Sequence, residues 1–160
     1  MNPCPCGHLG DVNRQCRRAP SCGEDYRARL SGPLLDRIDL VISVPALTAA
    51  ELTLPPPAES SAVIAARIVQ ARERQEVRFR RLRSAGDILC NAEADGALLD
   101  QAACPEPQAV SLLRQAAERL GLSGRGYHRV LRVARTIADL AASDRITRSH
   151  VAEAVGYRPS

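Results

Sequence analysis

Three consecutive prolines, Pro55-Pro56-Pro57, divide the chain into two parts of different character. Such a run is stiff and extended and has no amide to donate, so no ordinary helix or strand crosses it. A domain boundary is placed there, with residues 1–54 on one side and 58–160 on the other. Beyond it the pattern is helical. Ile64, Ile68, Ala71, Gln75, Phe79 and Leu82 form one stripe of a long amphipathic helix, expected from about Ser60 to Ser84. Asn91 is suited to cap a short helix running to about Gln101. Pro105 and Pro107 start the next, which stops at Gly121. Ser123 caps a further helix, with Leu122 and Tyr127 as its hydrophobic staple. Thr147 caps the last, with Ile146 and Val151 as a second staple, and His150 in its first turn reads as a surface or capping residue. Residues 58–160 are thus expected to form a helical bundle.

The first part is less regular. Residues 1–33 are rich in Cys, Pro, Gly and Arg and show little periodicity. Ile38 to Val44 then reads as a buried strand. A lone strand is not stable, so it either pairs with something in residues 1–33 or belongs to a sheet outside this chain, and the second is favoured. Aromatic residues are only Phe79, Tyr26, Tyr127 and Tyr157, so the core has to be built from Ala, Leu, Val and Ile. No apolar run reaches the ~18 residues of a membrane span and no signal peptide is visible, which points to a cytoplasmic protein with no membrane partner. The net charge is +4, and every Lys or Arg cation is an Arg. That is modest for a nucleic-acid binder and decides nothing by itself.

Four constellations can carry chemistry. Cys4, Cys6, Cys16 and Cys22 lie within the first 22 residues, as C-x-C followed by gaps of nine and five residues. Without a secretory signal, clustered cysteines point to a metal or to free thiols rather than to disulfides. Structural Zn²⁺ takes such a set, with His8 as a substitute ligand. Arg37 stands between Asp36 and Asp39 directly before the expected strand. Spacing favours a local ion pair; the alternative is an arginine projecting to a phosphate across a subunit boundary. Arg125, Arg129 and Arg132 crowd the first turns of the helix capped by Ser123. Cations are unfavourable there unless an anion binds or nearby acids such as Glu118 compensate. Arg67, Arg72, Arg74, Arg78, Arg80, Arg81 and Arg83 run along the long helix, either as a solvated face with Glu73 and Glu76 as partners or as a DNA- or subunit-facing surface. Arg135 has Asp139 four residues on as its expected partner. No G-x-G-x-x-G or G-x4-G-K-[ST] phosphate loop occurs, so the chain alone is not expected to hydrolyse ATP.

Asn2-Pro3-Cys4-Pro5-Cys6-Gly7, Ser31 through Leu40, and Arg125-Gly126-Tyr127-His128-Arg129 with Arg135 through Leu140 together resemble the Mg-chelatase-like AAA+ ATPases, in their ComM/YifB competence-protein branch. The resemblance spans essentially the whole chain. It implies a mainly α fold: a helical AAA+ lid over 58–160, preceded in 1–54 by a Cys-rich, partly irregular remnant of the AAA+ α/β core with one strand. It implies that Asn2 occupies the sensor-1 position and that Arg37 is an arginine finger acting on a neighbour's ATP. Arg125 would be the sensor-2 residue, with Arg129 as a second candidate. ATP with Mg²⁺ would be the ligand, the chain itself the partner in a ring of six, and DNA the track of a branch-migration motor. The family's ATP-binding loop is missing, so the chain is expected to be a C-terminal fragment. Relatives carry C-x-C in the second cysteine pair, whereas Arg18 takes that second position here and Cys22 follows four residues later. Two other functions remain open. One is the ATPase subunit of a metal-inserting chelatase, against which the Cys-rich segment argues; the other is a non-enzymatic zinc knuckle that binds nucleic acid by charge.

Overall fold

The computed structural model describes residues 4–9, 16–31, 34, 37–44, 47, 50–55, 59–82 and 86–158. The chain divides into two units. One comprises Met1–Ile38 with Ile42–Leu54, and the other Asp39–Val41 with Pro55–Ser160. The first unit holds helix α1 (Ser21–Arg27) and one turn of 3-10 helix at Glu51–Thr53. The second holds α2 (Ser61–Arg81), α3 (Gly96–Ala103), α4 (Pro107–Leu120), α5 (Gly124–Leu140) and α6 (Arg148–Gly156).

Local chemistry sets the ends of these helices. Ser60 Oγ accepts from the Val63 amide at 3.4 Å and starts α2. Pro107 sits in the first turn of α4, where its missing N–H costs nothing, and Gly121 closes that helix at φ 58°, a conformation suited to glycine. Ser123 Oγ accepts from the Gly126 amide at 3.0 Å and starts α5. At α6 the Thr147 amide donates to His150 Nδ1 at 3.1 Å, so His150 is a capping residue.

The amphipathic α5 is the hub, packing against α2, α3, α4 and α6. Its Val130, Leu131, Ala134 and Ala138 meet Phe79, Leu99, Leu113, Ile146 and Val151 in one core. That core is aliphatic apart from Phe79 and partly buried Tyr127, as the composition requires. A short parallel bridge between Pro105 and Ile146 ties the start of α4 to the start of α6. The Glu106 amide donates to the Ile146 carbonyl at 2.9 Å.

Three expectations need correction. Asn91 does not cap α3; Asp95 does, its carboxylate accepting from the Gly96 amide at 2.9 Å. The expected stripe on α2 is buried only in its second half, at Ala71, Gln75 and Phe79, whereas Ile64 and Ile68 are exposed. Residues 38–44 form no strand. Strand geometry needs a ladder, and among the described residues no second strand offers one. No helix among the described residues is long and apolar enough to cross a membrane.

Candidate functional site

The sulfurs of Cys4, Cys6, Cys16 and Cys22 all lie within 4.8 Å of one another. No other group of three or more metal-ligating side chains occurs among the described residues, and His8 is not part of this one. Local turns bring the thiols together. The Gly7 amide donates to the Cys4 carbonyl at 3.0 Å, with Gly7 at φ 80°, and this turn folds the C-x-C pair back on itself. A second turn, Ala19 amide to Cys16 carbonyl at 3.1 Å, leads into α1, whose second residue is Cys22. Cys22 therefore supplies the fourth thiol from a helix. Arg18 reaches Asp25 at 3.4 Å.

The thiols are electrostatically unequal. Burial alone pushes the Cys4 thiol up, but hydrogen bonds from the Cys6 thiol, the Leu9 and Cys6 amides and the Cys22 thiol hold it down to about 6. The His8 amide favours a Cys6 thiolate, yet the Cys4 and Cys16 thiols outweigh it and raise Cys6. Cys22 is pushed up to about 12 by burial and then by the Cys16 and Cys4 sulfurs. Sulfurs this close repel once ionised, so the set is fully ionised only around a cation.

Asn2 and Asp36 lie outside the described residues. Arg37 is exposed, its backbone amide donating to the Leu34 carbonyl at 3.0 Å, and its side chain makes no ion pair among the described residues. Asp39, the other acid flanking it, gives its carboxylate to Arg129 at 3.1 Å.

The three arginines opening α5 have different fates. Arg132 donates to the Ala94 carbonyl from Nε at 3.3 Å and from Nη2 at 2.8 Å, with Asp95 at 3.8 Å. Arg129 is held by Asp39, and its buried Nη1 finds no partner among the described residues. Arg125 is exposed, with no hydrogen bond or ion pair among the described residues. Asp39 and Asp95, rather than Glu118, therefore compensate the basic helix start at Arg129 and Arg132, and Arg125 has no such partner among the described residues. Next to it the Arg158 guanidinium lies over Gly126 and donates to its carbonyl at 3.3 Å, so a Cβ there would displace the end of that side chain.

Arg78 belongs to a buried polar network that links α2 to α5. The fully buried Arg135 reaches Asp139 at 3.1 Å, the partner expected from sequence. It also donates to the carbonyls of Ala103 at 3.2 Å, Asp144 at 2.9 Å and Ser143 at 2.6 Å. Arg78 clamps the same carboxylate, Nη1 to Oδ2 at 3.0 Å and Nη2 to Oδ1. Asn91 Nδ2 adds a bond to Asp139 at 2.8 Å and one to Thr136 at 3.1 Å. Burial holds the Arg135 guanidinium below its usual pKa, with Asp139 offsetting part of that fall and Arg78 adding to it. Three other α2 arginines pair at the surface, Arg67 with Glu59, Arg80 with Glu76, and Arg74 with Asp144 at 3.6 Å, and Arg72 donates to Gln75 Oε1 at 3.2 Å. The solvated face expected of this run thus holds for these three and fails for Arg78.

Residues 58–158 match the family described as magnesium chelatase, subunit ChlI C-terminal, and residues 1–52 match magnesium chelatase, subunit ChlI. The chain is 40% identical over 167 residues to the uncharacterized protein YifB of Escherichia coli K12, covering 99% of this chain and 29% of that protein. It is 39% identical over 159 residues to the competence protein ComM of Haemophilus influenzae, covering 99% and 29%. An uncharacterized protein of Mycobacterium bovis is 36% identical over 157 residues, covering 98% and 30%. The chain spans less than a third of the length of these relatives.

Proposed function

Because the chain belongs to the magnesium-chelatase-like AAA+ ATPase family, in the branch that holds YifB and ComM, we propose that it serves as the C-terminal part of a ring-forming ATPase that moves on DNA. In this reading residues 58–160 are the lid over the nucleotide and Arg37 reaches the ATP of the neighbouring subunit. The observation that carries the reading is Arg125, an exposed guanidinium with no ion pair among the described residues, on the first turn of a helix whose start is capped by Ser123. Amides and the helix dipole at that end favour an anion, and a guanidinium beside them matches a phosphate with two parallel bonds.

Each group has a separate task. Arg125 binds the phosphates and couples the lid to whether nucleotide is present. Arg37 stabilises charge on the transferring phosphoryl group from the adjacent subunit. Asn2 orients the attacking water. Mg²⁺ would accompany the nucleotide and supply charge neutralisation at its phosphates. Arg129, tied to Asp39, holds the start of α5 in place and is a secondary contact at most. DNA is favoured as the track because a relative is a competence protein by name. The family description itself supports a second reading, in which the same ATPase drives metal insertion into a porphyrin.

Arg125→Ala in the ring-forming protein is expected to lower kcat/KM for ATP by about tenfold to a hundredfold, the worth of one charge-assisted contact. Arg119→Ala, another exposed arginine in the same bundle, is expected to leave it unchanged. Steady-state ATPase kinetics of the two variants decide the matter. Equal kinetics for both would remove Arg125 from the nucleotide site.

A further inference from the structure

The unit that contains α1 has no apolar core of its own among the described residues. Its only buried side chains there are Cys4 and Cys22, with Gly23 buried beside them. Leu34, Ile38, Ile42, Val44 and Leu52 of the same unit are all exposed. The centre of this unit is therefore a cluster of sulfur. Reduced thiols gain little from being gathered in this way, and small units lacking a core commonly fold around a metal instead.

We propose that Cys4, Cys6, Cys16 and Cys22 hold one Zn²⁺ as a closed four-thiolate site, and that this ion organises the segment from Cys4 to α1 while the α2–α6 bundle folds without it.

The geometry fits one ion. Four sulfurs at ~2.3 Å from a tetrahedral centre lie ~3.8 Å apart. The cluster falls within 4.8 Å throughout, with Cys4 and Cys6 at 3.1 Å, so closure on zinc needs only sub-ångström to ångström adjustments. That spacing is too tight for a cluster of several irons. An all-thiolate donor set with no fifth ligand among the described residues also suits a structural ion rather than a catalytic one, which keeps a position open for water. Backbone groups already serve the sulfurs: the Leu9 and Cys6 amides bond to the Cys4 sulfur and the His8 amide to the Cys6 sulfur. Donors of this kind spread the excess negative charge of a zinc tetrathiolate. The fourth ligand comes from α1, so metal binding and the seating of that helix are one event.

The chain, purified under reducing conditions without chelator, is expected to carry about one zinc per molecule by elemental analysis. Cys22→Ala and Cys6→Ser are expected to reduce retained zinc at least tenfold, whereas Cys90→Ser and Cys104→Ser retain it. Misfolding of the first two variants would not confuse the result, because the native chain supplies a second readout. Titration with a mercurial should release zinc in step with four of the six thiols. Chelation should then erase amide resonances of residues 4–30 and leave those of α2–α6 in place. A metal-free chain with the same resonances would overturn the proposal. So would iron with visible thiolate absorption, or disulfides linking these cysteines.

Discussion

Asp139→Ala is expected to destabilise the α2–α6 bundle by about 3–5 kcal/mol, the usual loss when one partner of a buried charged network is removed. The aspartate is 2% exposed and receives bonds from Arg78, Asn91 and Arg135 at once. Its removal strands the fully buried Arg135 guanidinium, whose Nε already lacks a partner among the described residues. A domain of this size has about 5–15 kcal/mol in total, so the variant should lose a large share of its stability. Denaturant unfolding followed by far-ultraviolet circular dichroism measures the loss. Arg78→Ala should cost less, because its side chain is 19% exposed and can be replaced by water. A double-mutant cycle between the two positions should show strong coupling. A loss under about 1 kcal/mol for Asp139→Ala would mean that the network is not what joins α2 to α5.

Arg37→Ala should lower ATP turnover of the ring by about 10³-fold or more, the size of effect known for arginine fingers. The prediction draws its structural support from Arg37 being exposed and without an ion pair among the described residues, while Asp39 is committed to Arg129. Because the finger acts on the neighbour, variant subunits mixed into wild type should poison adjacent sites. Activity should then change nonlinearly with the fraction of variant. Arg37→Lys should not restore turnover, since an ammonium lacks the planar fork of donors. Full turnover by a homogeneous Arg37→Ala ring would remove the finger assignment and leave Arg37 a surface residue.

Helix ends were legible in the sequence because they depend on neighbours three or four residues away. Ser60, Pro107, Gly121, Ser123 and Thr147 each mark an end found in the structure. The Arg135–Asp139 pair was legible for the same reason. Arg78 was not: its partner lies 61 residues away, and nothing local separates it from the exposed arginines around it. Asn91 misleads because an amide that suits a helix cap equally suits a buried junction. It lies 2% exposed, with its amide nitrogen on Asp139 and Thr136 and its backbone amide on Gln75. The apolar run at 38–44 carries strand composition, but a strand is a property of pairs. For the cysteines, sequence gives the candidate set and its irregular spacing. Only the turn at Gly7 and the start of α1 show how unequal gaps bring four sulfurs to one point.

The proposed role as part of a DNA motor is tested most directly by ATPase activity of the full-length ring, with and without single-stranded and branched DNA. The account predicts hydrolysis that DNA stimulates and that Arg37→Ala abolishes in both conditions. Intact basal hydrolysis that neither form of DNA changes would contradict the DNA role and favour metal insertion as the function.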